Sequence, residues 1–253
     1  MTDQLNENFF TLFLLFCRTG GCFLFAPGLS SPRLPVQVRV LTALAIAMAL
    51  FPLLAEELAR AIAVVEPGQA WLLIIGETGT GSAIGLMARL FLLALQFGAT
   101  AASNFIGLSG IPGVPLEETD TGSPLATLVS SAAVLLILTL GLHLDMLRAL
   151  IDSYDVIRPE AGFPVEALTR GVLAVLSETT LLALRLAAPF LVYGVTVNFA
   201  LGVANRFAQQ LSVYHATTGT VILGGFLLLH VVWLDWIMLL VDSYRTWLGE
   251  GGF

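Results

Sequence analysis

The sequence predicts an all-α, polytopic membrane-type protein: helical hairpins built from about six long apolar segments, several of them kinked or broken. Three observations lead there. Residues are 57% hydrophobic and only 11% charged, with a mean hydropathy of +0.89, whereas a soluble domain carries roughly a quarter charged residues. The apolar residues gather in runs that reach or exceed the roughly 20 residues needed to cross a bilayer. Charges and Pro/Gly clusters fall mostly between those runs. A soluble chain of 253 residues needs a polar surface, and this one has too little polar material to make it. Its surplus apolar surface faces lipid, partner subunits or both.

The first apolar segment runs from Phe9 to Ala26, with Asn8 as its N-cap, Arg18 inside it and Pro27-Gly28 ending it. With no basic n-region and no Ala-x-Ala site, it reads as retained rather than cleaved. A Pro-rich loop, Leu29 to Val38, leads to the second segment, Val40 to Ala55, which Pro52 would kink or stop. The stretch from Glu56 to Gln69 is the most soluble-looking piece of the front half. The third segment, Trp71 to Asn104, is too long for one straight span and carries Glu77 and Arg89. Its glycines, Gly76, Gly79, Gly81 and Gly85, mark either close helix packing or a bend.

A loop from Phe105 to Ser123 follows, Gly/Pro-rich and apolar in its first half and acidic in its second. It reads either as a buttressed connector or as a loop tucked into protein or a cavity, because exposed irregular backbone cannot sit in lipid. The fourth segment, Pro124 to Ile157, ends amphipathically, with Asp145 and Arg148 spaced to meet on one face. The fifth, Leu173 to Arg206, carries Glu178 and Arg185 two turns apart, and Pro189. The sixth, Leu211 to Trp247, has no Asp, Glu or Arg before Asp235. An internal echo links the fourth and sixth: Leu144-Asp145 through Asp152-Ser153-Tyr154, and Leu234-Asp235 through Asp242-Ser243-Tyr244. It marks either related hairpins or convergent interfacial helix ends, which favour Tyr and Trp.

Composition and spacing exclude several functions. All eleven basic residues are Arg and the net charge is −7, so no basic stripe exists for nucleic acid. Without Lys there is no phosphate-binding Gly-x-x-x-x-Gly-Lys loop. His143, His215 and His230 lack metal-ligand spacing, and Cys17 and Cys22 read as buried structural thiols. No cofactor, metal or catalytic residue is expected. Arg18, Glu77, Arg89, Glu178 and Arg185 lie inside apolar segments, where a charge is costly. They form either an ion or proton path or, the preferred reading, a set of charges that each pair with a neighbour or lie outside the hydrocarbon because the helix does not truly span.

The ordered set of motifs points further. Arg18-x-Gly20 is followed by Ala26-Pro27, Pro35, Arg39 and Pro52, then Gly85, Gln96, Gly107-Leu108-Ser109 and Gly141-x-His143. The most specific stretch is Asn198-Phe199-Ala200-Leu201-Gly202, then Asn205-Arg206, Ala208 and Gln210-Leu211-Ser212. In order and spacing these resemble the FliR family, the export-gate subunit of flagellar type III secretion, and its injectisome relatives. Three departures stand out. Ala208-Gln209-Gln210 replaces the family's Ala-Pro-Gln, Leu140-Gly141-x-His143 its Asn-Gly-His, and Gly110-Ile111-Pro112 its aromatic and Ala.

The resemblance implies one FliR-like domain over residues 1–253, with FliP-like and then FliQ-like hairpins as halves of about 1–157 and 158–253. It implies a non-enzymatic subunit of a hetero-oligomeric gate in the bacterial inner membrane, within the flagellar basal body. Partners would be FliP-like and FliQ-like subunits, a FlhB-like switch protein, membrane lipid and unfolded exported proteins as substrate. Its helices would be raised largely above the bilayer plane. The loop Ile106, Gly107, Leu108, Ser109, Gly110, Ile111, Pro112, Gly113 and Val114 would plug the pore, with Ile106, Leu108, Ile111 and Val114 sealing it. Assembly contacts would come from Arg18, Arg39, Glu77, Arg89, Glu178, Arg185, Asn198, Asn205, Arg206 and Gln210. A secondary transporter or permease is the alternative, and a membrane-insertion or assembly factor a weaker third.

Overall fold

The computed structural model describes residues 2–30, 34–64, 67–108, 123–159, 163–207 and 213–249, and the elements among them are helical. The order is α1 (Thr2–Phe25), α2 (Val36–Val64), a 3₁₀ turn (Pro67–Gln69), α3 (Ala70–Ile106), α4 (Pro124–Thr139), α5 (Leu142–Val156), α6 (Val165–Phe207) and α7 (Val213–Gly249). Five of these helices are long and apolar enough to cross a membrane, and α4 with α5 makes a sixth if they are taken as one broken span.

The apolar runs locate the helices, and several ends differ from the expected ones. Helix α1 begins at Thr2, so Asn8 lies inside it rather than capping it. It ends as expected: the Ala26 and Ser30 amides close turns onto the Cys22 and Ala26 carbonyls, and Gly28 takes φ +82°. Helix α2 runs through Pro52 to Val64. One missing N–H in a 29-residue helix is outweighed by the apolar burial on either side of it. Helix α6 starts eight residues before the apolar run, where Pro164 opens the first turn by accepting from the Leu168 amide at 3.0 Å. The fourth segment is broken at Gly141, whose φ of +75° only glycine adopts without strain.

The chain forms two compact units, Met1–Leu90 with Ile137–Ser177 and Tyr244–Phe253, and Phe91–Leu136 with Glu178–Ser243. In the first, Leu14, Leu15, Ala47, Leu54, Leu58, Leu73 and Tyr154 form a buried core. Glycines let α1 and α3 approach backbone to backbone. A Cβ on Gly81 would collide with the Arg18 carbonyl, one on Gly85 with the Cys22 carbonyl, and one on Gly21 would lie 2.6 Å from the Thr78 carbonyl. Helix α1 is continuous through Gly21 and helix α3 through Gly81 and Gly85, so these glycines pack helices and do not bend one. In the second unit, Phe190 and Trp236 meet edge to face at 5.4 Å, and Gly98 faces Leu186 while Gly194 faces Phe105.

Much of the apolar surface stays uncovered. Half of the most apolar stretch of α3 is buried, against 11% of that of α7. Phe199, Val192, Leu223 and Val231 are all more than half exposed.

Candidate functional site

The first unit holds a charged cluster in its interior. Arg18 (α1) and Glu77 (α3) are each 1% exposed. Arg18 Nε donates to Glu77 Oε2 at 2.7 Å and Nη2 to Oε1 at 2.8 Å, a two-pronged ion pair. Nη1 donates to Ser153 Oγ at 2.9 Å, and Nη2 also to the Ile157 carbonyl at 3.2 Å. Tyr154 Oη donates to Glu77 Oε2 at 3.1 Å, while its ring lies 3.6 Å beneath the guanidinium carbon. Ser153 Oγ–H in turn donates a hydrogen bond to the Leu150 carbonyl at 2.5 Å.

Burying a charge pair stabilises only where geometry is good and the remaining donors and acceptors are satisfied. Here the guanidinium meets a carboxylate, a hydroxyl, a carbonyl and an aromatic face. The cluster therefore ties α1, α3 and the end of α5 in one register. The connection beyond α5 is held to α3 a second time: Gly79 forms the seat for Phe163, where a Cβ would strike the ring.

A second place is the end of α3 in the other unit. Ile106 is fully buried, and a Cβ on Gly225 of α7 would overlap it. Gly107 then turns the chain with φ +85°, its amide donating to the Asn104 carbonyl at 3.2 Å. Tyr193 Oη donates to the Val221 carbonyl at 2.6 Å and packs on Gly224, holding α6 to α7 beside this corner. A cleft of about 180 Å³ opens here, lined by Asn104, Gly107, Asn198, Leu201 and Thr218 among others.

The expected site residues thus fall in different settings. Ile106 is anchored at a helix end, Gly107 and Leu108 leave it, and Ser109, Gly110, Ile111, Pro112, Gly113 and Val114 lie outside the described residues, as does Gln210. Arg18 and Glu77 are brought together; Arg39 and Arg89 are partly buried on α2 and α3. Glu178, Arg185, Asn205 and Arg206 are exposed along α6, where Asn198 Nδ2 bonds back to the Gly194 carbonyl at 2.8 Å. The expected Asp145–Arg148 pair forms at 3.1 Å.

Ser153 and Tyr154, partners of the buried pair, are not among the site residues expected from the sequence. A signal was there: both members of the Asp-Ser-Tyr echo end in a tyrosine, Tyr154 and Tyr244, and each is 2% exposed. The echo marks helix ends that dock inward.

Comparison with known proteins gives the lineage. The family model described as bacterial export proteins, family 1, matches residues 9–247. A flagellar biosynthetic protein FliR of Caulobacter vibrioides is 24% identical over 232 residues, 92% of each chain. The FliR of Escherichia coli is 29% identical over 192 residues, 75% of this chain and 71% of that protein. The FliR of Pectobacterium carotovorum is 32% identical over 151 residues, 57% and 55% of the two chains. With five helices able to span a bilayer and a family match along nearly its whole length, the chain is a multi-pass member of the FliR family of bacterial export proteins.

Proposed function

We propose that this chain is a structural subunit of the inner-membrane export gate of a flagellar type III secretion apparatus. It forms part of the protein-conducting pore and of the plug that closes it, and it works by conformational change rather than by chemistry. The observation that carries this reading is the match to the Caulobacter FliR over 92% of both chains. The exposed apolar faces of α6 and α7 agree with it, since such surface must be covered by lipid or partner subunits. FliP-like and FliQ-like subunits, with a FlhB-like switch protein, would cover part of it in the basal body. The single domain then divides into FliP-like and FliQ-like hairpins.

Within the gate, the loop that leaves α3 at Gly107 is the plug. Ile106 and Gly225 fix its base, and Leu108, Ile111 and Val114 seal the pore. An unfolded exported protein displaces the loop, a shift of population between closed and open states. Arg39, Arg89, Glu178, Arg185, Asn198, Asn205, Arg206 and Gln210 serve the contacts between subunits. Arg18 and Glu77 serve assembly indirectly, by holding the helices that present those contacts.

The deciding experiment is affinity purification of the tagged full chain from bacterial membranes in mild detergent, with identification of what comes with it. Stoichiometric FliP-like and FliQ-like subunits are expected. A stable lone monomer that binds a small solute would instead make the chain a transporter.

A further inference from the structure

One side of α6 in the second unit is exposed, and its residues are spaced to meet another helix. Leu181, Arg185, Ala188, Val192, Val195 and Phe199 follow one another at alternating steps of four and three residues, and all of them are exposed. That alternation is the heptad seam along which one helix packs on another. Every member but Arg185 is apolar, and Phe199 is 74% exposed and Val192 63%. Arg185 makes no ion pair or hydrogen bond among the described residues. Lipid is a poor cover for such a seam, because a cation facing hydrocarbon is costly. Helix α6 has 43 residues, a length of roughly 65 Å against a hydrocarbon core of roughly 30 Å. Much of its exposed apolar face is therefore left for protein to cover. A second copy of this chain does not fit either: copies inserted the same way into one membrane would bring parallel α6 seams together and set Arg185 against Arg185.

We propose that this seam seats an apolar helix of a different subunit, which presents one Asp or Glu carboxylate to Arg185. Leu181 and Ala188 flank the guanidinium along the seam, so docking removes the pair from water. A carboxylate then offsets the cost of burying the cation, which no apolar side chain at that level does. The pair also fixes the register of the two helices, as a single polar residue does in a heptad seam. This assignment rests on the reading of the chain as a gate subunit, and gives that reading a face, a register and a partner chemistry.

The chain contains no Lys, so Arg185→Lys gives it a single side-chain amine while keeping the charge. The full chain with this substitution and a lysine-free tag is purified from membranes with its co-subunits and treated with a water-soluble carbodiimide. The reagent joins an amine to a carboxylate in direct contact as an amide, taking up the water that is lost. Peptide mass spectrometry should map one link from position 185 to an Asp or Glu inside an apolar segment of another subunit. Arg148→Lys, at an exposed pair on α5, should give no such link. Arg185→Glu should lower retention of the linked subunit by about tenfold or more, whereas Arg185→Lys should retain it at the parent level. A complex that co-purifies intact but links position 185 only within its own chain, only to a second copy, or not at all would overturn the proposal and leave the gate reading standing. Retention unchanged in Arg185→Glu would do the same. A chain that purifies alone would remove both.

Discussion

Arg18 and Glu77, 59 residues apart in the chain, meet through two N–H···O bonds of 2.7 and 2.8 Å with both side chains almost wholly removed from solvent. In a chain this poor in charge, such a pair holds helices in register and costs heavily if half of it is removed. Its three neighbours, Ser153, Tyr154 and Ile157, decide how heavily.

Glu77→Gln should destabilise the protein by about 3–5 kcal/mol, because it leaves a buried guanidinium without its countercharge. Replacing both partners, R18M/E77M, should recover a large part of that loss, since two apolar side chains of similar volume need no pairing. Thermal unfolding in detergent of the parent protein, R18M, E77M and R18M/E77M measures the cycle. Additive losses in the double variant would mean that the pair is not coupled.

Tyr154 contributes in two separable ways. Tyr154→Phe removes only the hydroxyl that donates to Glu77 and keeps the ring beneath Arg18, so a loss of about 1.5–3 kcal/mol is expected, as for a hydrogen bond to a charged group. Tyr154→Leu removes the ring as well and should cost more than Tyr154→Phe. Equal losses would show that the aromatic face does not stabilise the guanidinium.

The crossing of α1 on α3 gives a steric prediction. Gly81→Ala and Gly85→Ala place a methyl on the backbone carbonyls of Arg18 and Cys22, which cannot rotate away. Each should destabilise by about 1–3 kcal/mol or more. Gly202→Ala, where nothing lies within 4 Å, should be neutral or stabilise by up to about 1 kcal/mol through helix propensity. The accumulation of each variant in membranes and its unfolding midpoint report the difference.

What the sequence alone reveals of the fold and the site follows from the range of each interaction. Helix positions are local and show in the apolar runs, so α3 and α7 fall close to where the sequence puts them. Helix ends are less local: α2 continues past Pro52 because packing of Leu54 and Leu58 outweighs one absent hydrogen bond. Gly81 and Gly85 read equally as bend or packing surface, because only the neighbouring helix distinguishes the two. Arg18 and Glu77 stand out in the sequence as two costly charges but not as partners, since nothing in either segment encodes the other's position. Ile106 falls in a stretch that reads as loop, and only the seat made by Gly225, far along the chain, fixes it as a helix end.

That seat leads to the functional prediction. If Ile106 anchors the plug and the residues beyond it seal the pore, deletion and anchor damage should separate. Removing residues 108–114 while keeping Ile106 and Gly107 takes away the seal and leaves the packed end of α3 intact. The protein should accumulate with its partners at normal levels, and the closed gate should leak ions across the inner membrane. Gly225→Ala leaves the loop complete but pushes on Ile106, whose side chain occupies the space of the added Cβ. It should give a smaller leak together with a lower unfolding midpoint. Ion permeability of cells carrying each variant, read beside the amount of assembled complex, distinguishes the two effects. A deletion variant that assembles fully and stays tightly sealed would remove the plug from this loop, whatever the fate of the subunit assignment.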